Sequence, residues 1–420
     1  MSDIQTLAAA ATTAVNQGRW DQAEAAWAQV LALDPRHPQA LYSLGVHAFK
    51  RGELAKSLQF LQAAHAAAPG DPAVLLSISV VLREQGDRGG ELRAIEAALA
   101  ADPYFLQALL AKAAHLELHG QSKAATATYR NALRAAPPEP HWPPALRNQL
   151  LHGRACVERL SAELAGFIAQ RTDAGFGKLT AAEAERWREA SAIMSGQSQP
   201  YPSVCSTLQV PRLPAIPFFE RDVFPWVAAL EACTEAITTE LMAVMADAQG
   251  EFQPYIAYQP GTPVNQWLEL NHSKRWSSYF LWKNGQPVKE HLQRCPETAK
   301  ALAAIGMADI GGLCPNAMFS VLAPHTQIPP HHGETNARLV AHLPLIVPEK
   351  CRYRVGFEHR NWTVGETLIF DDSIEHEARN DSDQLRVVLI FDVWNPLLSP
   401  GDREMVKRLS AAKREFQGAA

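Results

Sequence analysis

Pro329 to Leu345 reads PPHHGETNARLVAHLPL: two prolines, two adjacent histidines, a glycine, and then an alternating run. Carried on to Val347, the run puts Ala337, Leu339, Ala341, Leu343 and Leu345 on one face of a strand. Arg338, Val340 and His342 fall on the other, because successive strand side chains point to opposite sides. Working outward, RVGFEHRNWTVGETLIFDD (Arg354–Asp372) reads as a strand, a turn near Gly365 and a second strand. LRVVLIFDVW (Leu385–Trp394) alternates again, with Arg386, Val388, Ile390 and Asp392 on one face. Several antiparallel strands of this length point to a small barrel or jelly roll. A charge such as Arg386, or a histidine such as His342, is costly in such a lumen unless paired, so these two mark either a polar ligand or an internal salt bridge.

The chemistry-bearing residues cluster in the same region. His331 and His332 sit where a loop enters a strand, and His376 follows the strand ETLIF in FDDSIEHEARN. Two histidines at strand edges suit a ferrous site with open positions, which is ordinarily completed by a carboxylate in the spelling H-x-D/E. His332-Gly333-Glu334 has that spelling, and with His376 it forms the triad that pattern alone favours. For His331 the carboxylate position is occupied by Gly333. The competing reading is that all of these are ordinary polar residues at strand ends.

PPHHGETNARLVAHLPL, WTVGETLIFDDSIEHEARN (Trp362–Asn380), RVVLIFDVWNPLLSP (Arg386–Pro400) and WSSYFLWKNG (Trp276–Gly285) together resemble the aspartyl/asparaginyl β-hydroxylase family. The likeness runs from about Pro217 to Pro400 and is densest after Ser320. It implies a double-stranded β-helix that uses Fe(II), 2-oxoglutarate and O2. It also implies iron held by two histidines with water in place of the acid, which puts the ligands at His331 and His376 and leaves Glu334 as a fallback. By the same resemblance Arg386, helped by Ser320, holds the far carboxylate of 2-oxoglutarate through a charge-assisted fork, and His342 meets the near one. The family's arginine two residues before that histidine is replaced here by Val340; Arg338, two residues further back on the same face, is the available substitute. The implied reaction is hydroxylation of a C–H bond, foremost the β-carbon of Asp or Asn in a protein or peptide. A small molecule, free amino acid or lipid acyl chain is the second substrate class, and a non-catalytic scaffold with a ligand-binding β domain is the third reading.

The first third of the chain has a different texture. Gly18, Gly52, Gly86 and Gly120 are spaced by 34 residues, and so are Pro35, Pro69, Pro103 and Pro137. Each unit reads as two helices, with glycine permitting the turn between them and proline stopping the second. Trp27, Leu61, Ile95 and Tyr129 form one apolar column, and Val30, Ala64, Ala98 and Ala132 a second, three residues on. The array resembles tetratricopeptide repeats, with Leu44, Gly45, Ala64 and Pro69 matching well and Glu91 standing where a small residue belongs. Such solenoids bind proteins or peptides on a concave face, and animal members of the hydroxylase family carry these repeats ahead of the oxygenase domain.

The expected organisation is therefore multidomain α + β. Residues 1–140 form an array of about four repeats and 141–200 a helical cap or linker. Residues 201–400 form the double-stranded β-helix, and 401–420 a charged, solvated helical tail. VAALEACTEAITTELMAVMADA (Val227–Ala248) reads as one amphipathic helix. The formal net charge of −5 gives no basic field, which argues against a nucleic-acid partner. The six cysteines form no CxxC pair, and no basic, apolar leader or long apolar run appears, so the expectation is a cytoplasmic chain without a membrane span.

Overall fold

The computed structural model describes residues 3–247 and 252–418. The last residue of the expected helix, Ala248, lies outside them. The chain divides between Gln197 and Ser198 into a helical unit and a β-rich unit.

The helical unit opens with four hairpins: α1 (Asp3–Asn16) with α2 (Trp20–Leu33), α3 (Pro38–Lys50) with α4 (Leu54–Ala67), α5 (Pro72–Glu84) with α6 (Arg88–Ala101), and α7 (Leu106–Leu118) with α8 (Ser122–Ala135). The four repeat glycines take φ of +70°, +75°, +79° and +74°, the left-handed conformation that lets each hairpin close at once. Helices α2, α4, α6 and α8 each end two residues before their proline. Trp27, Leu61, Ile95 and Tyr129 are buried, as are Val30, Ala64, Ala98 and Ala132. Glu91 breaks the small-residue pattern but is satisfied: its Oε2 lies 2.8 Å from Nδ1 of buried His115 on the next hairpin. Beyond the array run α9 (Arg147–Phe176) and α10 (Ala181–Ser195), the latter begun by a Thr180–Glu183 capping box. Gly153 lets α9 lie against Tyr129, since a Cβ there would stand 2.8 Å from the Tyr129 ring.

In the second unit the expected single helix is two, α11 (Val227–Glu231) and α12 (Thr234–Asp247). The break falls where Cys233 N–H bonds Leu230 O, three residues back, and the Thr234 hydroxyl bonds Glu231 O at 2.6 Å. The Glu231 side chain is drawn aside to the Thr367 N–H, and both Leu230 and Ile237 reach the core. Helices α13 (Lys289–Arg294) and α14 (Pro296–Ala303) follow, and α15 (Pro400–Phe416) closes the chain. The charged tail does not lie free. Val406 is buried with Trp394 and Ile310, and Lys407 Nζ lies 2.6 Å from Asp309 Oδ2.

The strands are β1 (Phe218–Phe219), β2 (Gln253–Pro254), β3 (Trp276–Lys283), β4 (Gln286–Pro287), β5 (Ala317–Leu322), β6 (Thr326–His331), β7 (Arg338–Ile346), β8 (Cys351–Val355), β9 (Glu358–Arg360), β10 (Leu368–Phe370), β11 (His376–Asn380) and β12 (Arg386–Trp394). The larger sheet runs β1-β10-β7-β12-β5-β3-β2, with β4 on β3, and the smaller runs β6-β11-β8-β9. From β5 onward the chain passes back and forth between the two sheets, save for the β8–β9 hairpin within the smaller one, with all strand pairs antiparallel, which is the double-stranded β-helix. Leu339, Ala341, Leu343, Val387, Leu389 and Phe391 pack outward against α11, α12 and α14. Val340 and Val388 turn inward to Tyr353, Trp362 and Phe370, so the face that carries Arg338, His342 and Arg386 looks into the lumen.

Among the described residues no helix is long and apolar enough to cross a membrane.

Close helix approach in the array rests on Gly45, where a Cβ would stand 2.8 Å from Leu61 Cγ. Gly45→Val should therefore destabilise the array by about 1–3 kcal/mol through overpacking. Chemical denaturation followed by helical circular dichroism measures this; a change below about 0.5 kcal/mol, the range of an ordinary surface substitution, would show the approach to be slack.

Candidate active site

β6 ends at His331 and β11 begins at His376, and the antiparallel register sets the two residues directly opposite each other. Their rings lie 4.0 Å apart. Each ring bonds a carbonyl two residues back on its own strand, His331 Nδ1 to Pro329 O at 2.8 Å and His376 Nδ1 to Ile374 O at 3.0 Å. A carbonyl only accepts, so Nδ1 carries the hydrogen in both and each Nε2 keeps a lone pair, the state in which imidazole binds a metal. Enclosure by protein is the main cause that pushes His331 down to about 3 and His376 down to about 4; for His331 the neighbouring His376 adds to it. Both therefore stay neutral at physiological pH. Trp267 and Trp276 wall the His331 side at 5.0 and 6.4 Å.

The H-x-E triad spelled by the sequence does not assemble. His332 is exposed, and Glu334 turns to Arg338 at 3.7 Å. Among the described residues no acid joins His331 and His376 in a set of three donors within 4.8 Å of one another. The space beside Gly333 is instead filled from a different strand end: a Cβ on Gly333 would collide with the Asp372 carboxylate. Gly333 N–H also donates to Asp372 O at 2.6 Å.

Arg338, the substitute cosubstrate ligand suggested by its position, is engaged by two carboxylates of the protein itself. Its Nη1 lies 2.8 Å from Asp372 Oδ2 and its Nε 3.3 Å from Asp392 Oδ1, with all three residues buried. Two carboxylates already neutralise it. It also stands opposite Trp394, eight positions along β12 from Arg386, or roughly 26 Å of strand.

Arg386 is in the opposite condition. It is 1% exposed, and its Nε and Nη1 have no hydrogen-bond partner. Its guanidinium lies 4.8 Å from the centre of the Trp362 ring, and burial pulls it down to about 10. An unpaired buried cation costs several kcal/mol, and an anionic ligand would relieve that cost. Two further polar groups line this lumen. Ser320 pairs in register with Val388 on β12, and its Oγ accepts from Trp276 Nε1 at 3.1 Å. Trp362 Nε1 donates to His342 Nδ1 at 3.2 Å, which leaves the His342 hydrogen on Nε2, a donor. Burial, with Arg386 adding to it, holds His342 well below the usual histidine range, so it is a neutral donor. Phe370 bridges the two ends, 4.8 Å from His342 and 5.8 Å from His376.

Sequence reasoning missed Asp372, Trp362 and Tyr353. Asp372 closes the run LIFDD, where a second acid after an apolar strand could have been noticed. Trp362 lies in a polar turn, and only the fold shows that it touches both Arg386 and His342.

Fold and site together define a double-stranded β-helix domain whose lumen combines a metal-competent histidine pair with an anion-competent arginine. Residues 231–396 match the family model for aspartyl/asparaginyl β-hydroxylase, and residues 8–72 match a tetratricopeptide repeat model. The chain thus carries a domain that matches the aspartyl/asparaginyl β-hydroxylase model behind a segment that matches tetratricopeptide repeats. It is similar to the ornithine lipid ester-linked acyl 2-hydroxylase of Rhizobium tropici, with 37% identity over 44% of this chain and 62% of that enzyme. It is also similar to mouse aspartyl/asparaginyl beta-hydroxylase, with 34% identity over 42% of this chain and 22% of that protein. Human aspartate beta-hydroxylase domain-containing protein 2 shares 28% identity over 63% of this chain and 68% of its own length. The chain thus spans less than two thirds of the first two relatives.

The crowding at Gly333 is testable. Gly333→Asp, which writes the usual triad into the sequence, should destabilise the β unit by about 1–3 kcal/mol, since two carboxylates would compete for one space. Adding Asp372→Ala should recover most of that loss in a denaturation cycle. A double variant no more stable than Gly333→Asp would show that Asp372 is not what excludes a side chain there.

Proposed function

We propose that the β unit is an Fe(II)- and 2-oxoglutarate-dependent dioxygenase. Its reaction is hydroxylation of a C–H bond, foremost the β-carbon of Asp or Asn in a protein or peptide. One observation carries the reading: Arg386 is buried without a counter-ion in the same lumen as two histidines whose Nε2 lone pairs are free. His331 and His376 would hold the iron, Arg386 and Ser320 the far carboxylate of 2-oxoglutarate, and the His342 Nε2–H its near carboxylate. When bound, iron and 2-oxoglutarate supply the oxidising power that inserts oxygen from O2 into a C–H bond.

The chain's own groups have separable tasks. The carbonyls of Pro329 and Ile374 fix the histidine tautomers, so no proton must leave Nε2 before a metal binds. Arg386 neutralises a dicarboxylate where water is scarce, and Trp362 orients it from below while fixing the His342 tautomer. Arg338 holds Asp372 beside Gly333, where its carboxylate fills the space that a side chain at 333 would need. Phe370, Tyr353 and Trp362 keep the lumen dry. The repeats would supply a protein or peptide surface, as such arrays commonly do. A lipid acyl chain is the second substrate class, favoured by the likeness to the Rhizobium tropici acyl 2-hydroxylase.

Anaerobic loading with Fe(II) and 2-oxoglutarate, followed by O2, should yield succinate; the absence of both iron binding and succinate would sink the reading. A panel of Asp- and Asn-containing peptides against acyl lipids then selects the substrate class. His331→Ala should abolish iron binding while His332→Ala spares it, and the reverse result would restore the triad of residues 332, 334 and 376. Arg386→Gln should raise the 2-oxoglutarate Kd at least tenfold, which corresponds to about 1.4 kcal/mol, with iron affinity kept. Equal 2-oxoglutarate binding in calorimetry would remove Arg386 from the site.

A further inference from the structure

A second cluster of metal-ligating groups lies in the helical unit, apart from everything above. His152 and Cys156 stand one turn apart on α9 and so share a face. Glu117, near the end of α7, meets them both. Among the described residues these three form the one set of three His, Cys, Asp or Glu donor atoms that all lie within 4.8 Å of one another. His152 Nε2 is 2.8 Å from Glu117 Oε2, Cys156 Sγ is 3.5 Å from His152 Nε2, and the same sulfur is 3.7 Å from Glu117 Oε1.

We infer that Glu117, His152 and Cys156 bind a Zn²⁺ ion, with the fourth position open to water. The argument is geometric. Tetrahedral zinc with ordinary bond lengths puts nitrogen and oxygen donors about 3.3 Å apart, and sulfur about 3.6 Å from either. The sulfur–nitrogen edge already has that length, and the sulfur lies 3.7 Å from Glu117 Oε1, the carboxylate oxygen that is not the one bonded to His152. With Oε2 as the ligand, its 2.8 Å edge to His152 opens by about 0.5 Å when the metal replaces the proton; with Oε1, the hydrogen bond to Oε2 is given up instead. Imidazole, thiolate and carboxylate are also the donor types that zinc accepts, and three protein ligands with an open position is a recurrent zinc arrangement.

The surroundings support the donors. Tyr129 OH donates to Glu117 Oε2 at 2.9 Å and orients the carboxylate, as partners of metal ligands do. Burial, with the Glu117 carboxylate adding to it, pushes the Cys156 thiol up, and Arg159 Nη2, 3.4 Å from the sulfur, offsets part of that. Cys156 is buried, whereas His152 is half exposed, so an ion can enter from the His152 side. That side opens on a groove lined by Leu110, Ala114, Tyr129 and Gln149. Proton balance is simple: Cys156 loses its thiol proton to solvent, and the imidazole of His152 binds through Nε2 with its one hydrogen on Nδ1. The consequence is a staple, since α7 belongs to the last repeat and α9 lies beyond the array. Gly153, which lets α9 lie against Tyr129, sets the approach that brings the donors together.

Co²⁺ titration of the full chain, stripped of metal and carrying His331→Ala to silence the other histidine site, tests this. A thiolate-to-cobalt absorption band should grow to one equivalent and be displaced by Zn²⁺. Cys156→Ser should lose the band, and His152→Gln, at an exposed position that leaves the helical circular dichroism unchanged, should weaken Co²⁺ binding at least tenfold. Zn²⁺ should also raise the thermal midpoint of the helical unit in the His331→Ala parent but not in His152→Gln. No thiolate band, a band that survives Cys156→Ser, or equal Co²⁺ affinity in His152→Gln would each overturn the assignment and leave a hydrogen-bonded trio.

Discussion

The register of one short strand pair governs the β unit. With His331 opposite His376, both rings enter the same space and both Nδ1 groups find carbonyls on their own strands. A slip of one residue would turn His331 outward and bring His332 in, because the side-chain period of a strand is two. The bulge between His376 and Ala378 and the pairing of β11 with β8 on its other edge hold that register.

Around that pair the lumen treats its two arginines differently. Arg338 is enclosed by Asp372 and Asp392, and the three form a neutralising cluster whose removal in part would strand a buried charge. Arg386 has a tryptophan face and no acid. The first arrangement compensates its buried charge within the protein; the second leaves a buried charge unpaired. One β-helix thus holds one arginine paired with two carboxylates and one without any, with phenylalanine and tyrosine rings packed against His342.

Much of this was legible in residue order. The 34-residue spacing of glycines and prolines gave every hairpin and its turn, because a left-handed turn and a helix stop each demand a particular residue. Strand alternation separated the helix-facing side of β7 and β12 from the lumen side. The site was legible in its parts but not in its pairing. Local spelling favoured His332 with Glu334, while the rings that meet are those of His331 and His376. Arg338 and Arg386 look alike in sequence, each a charge in an apolar strand. Their difference lies in Asp372, 34 positions from Arg338 along the chain, and Trp362, 24 positions before Arg386.

The sequence by itself determined the repeat period, the strand faces and the presence of histidines and arginines in an otherwise apolar β region. These follow from local periodicity and from backbone preferences, which act over a few residues. Local spelling left open which histidine faces its partner, a choice to which the family resemblance pointed and which strand register makes; tertiary structure alone decided which acid stands beside Gly333 and how Arg338 is paired. Those choices depend on strand register and on side chains brought together from distant segments, distances that residue order does not encode.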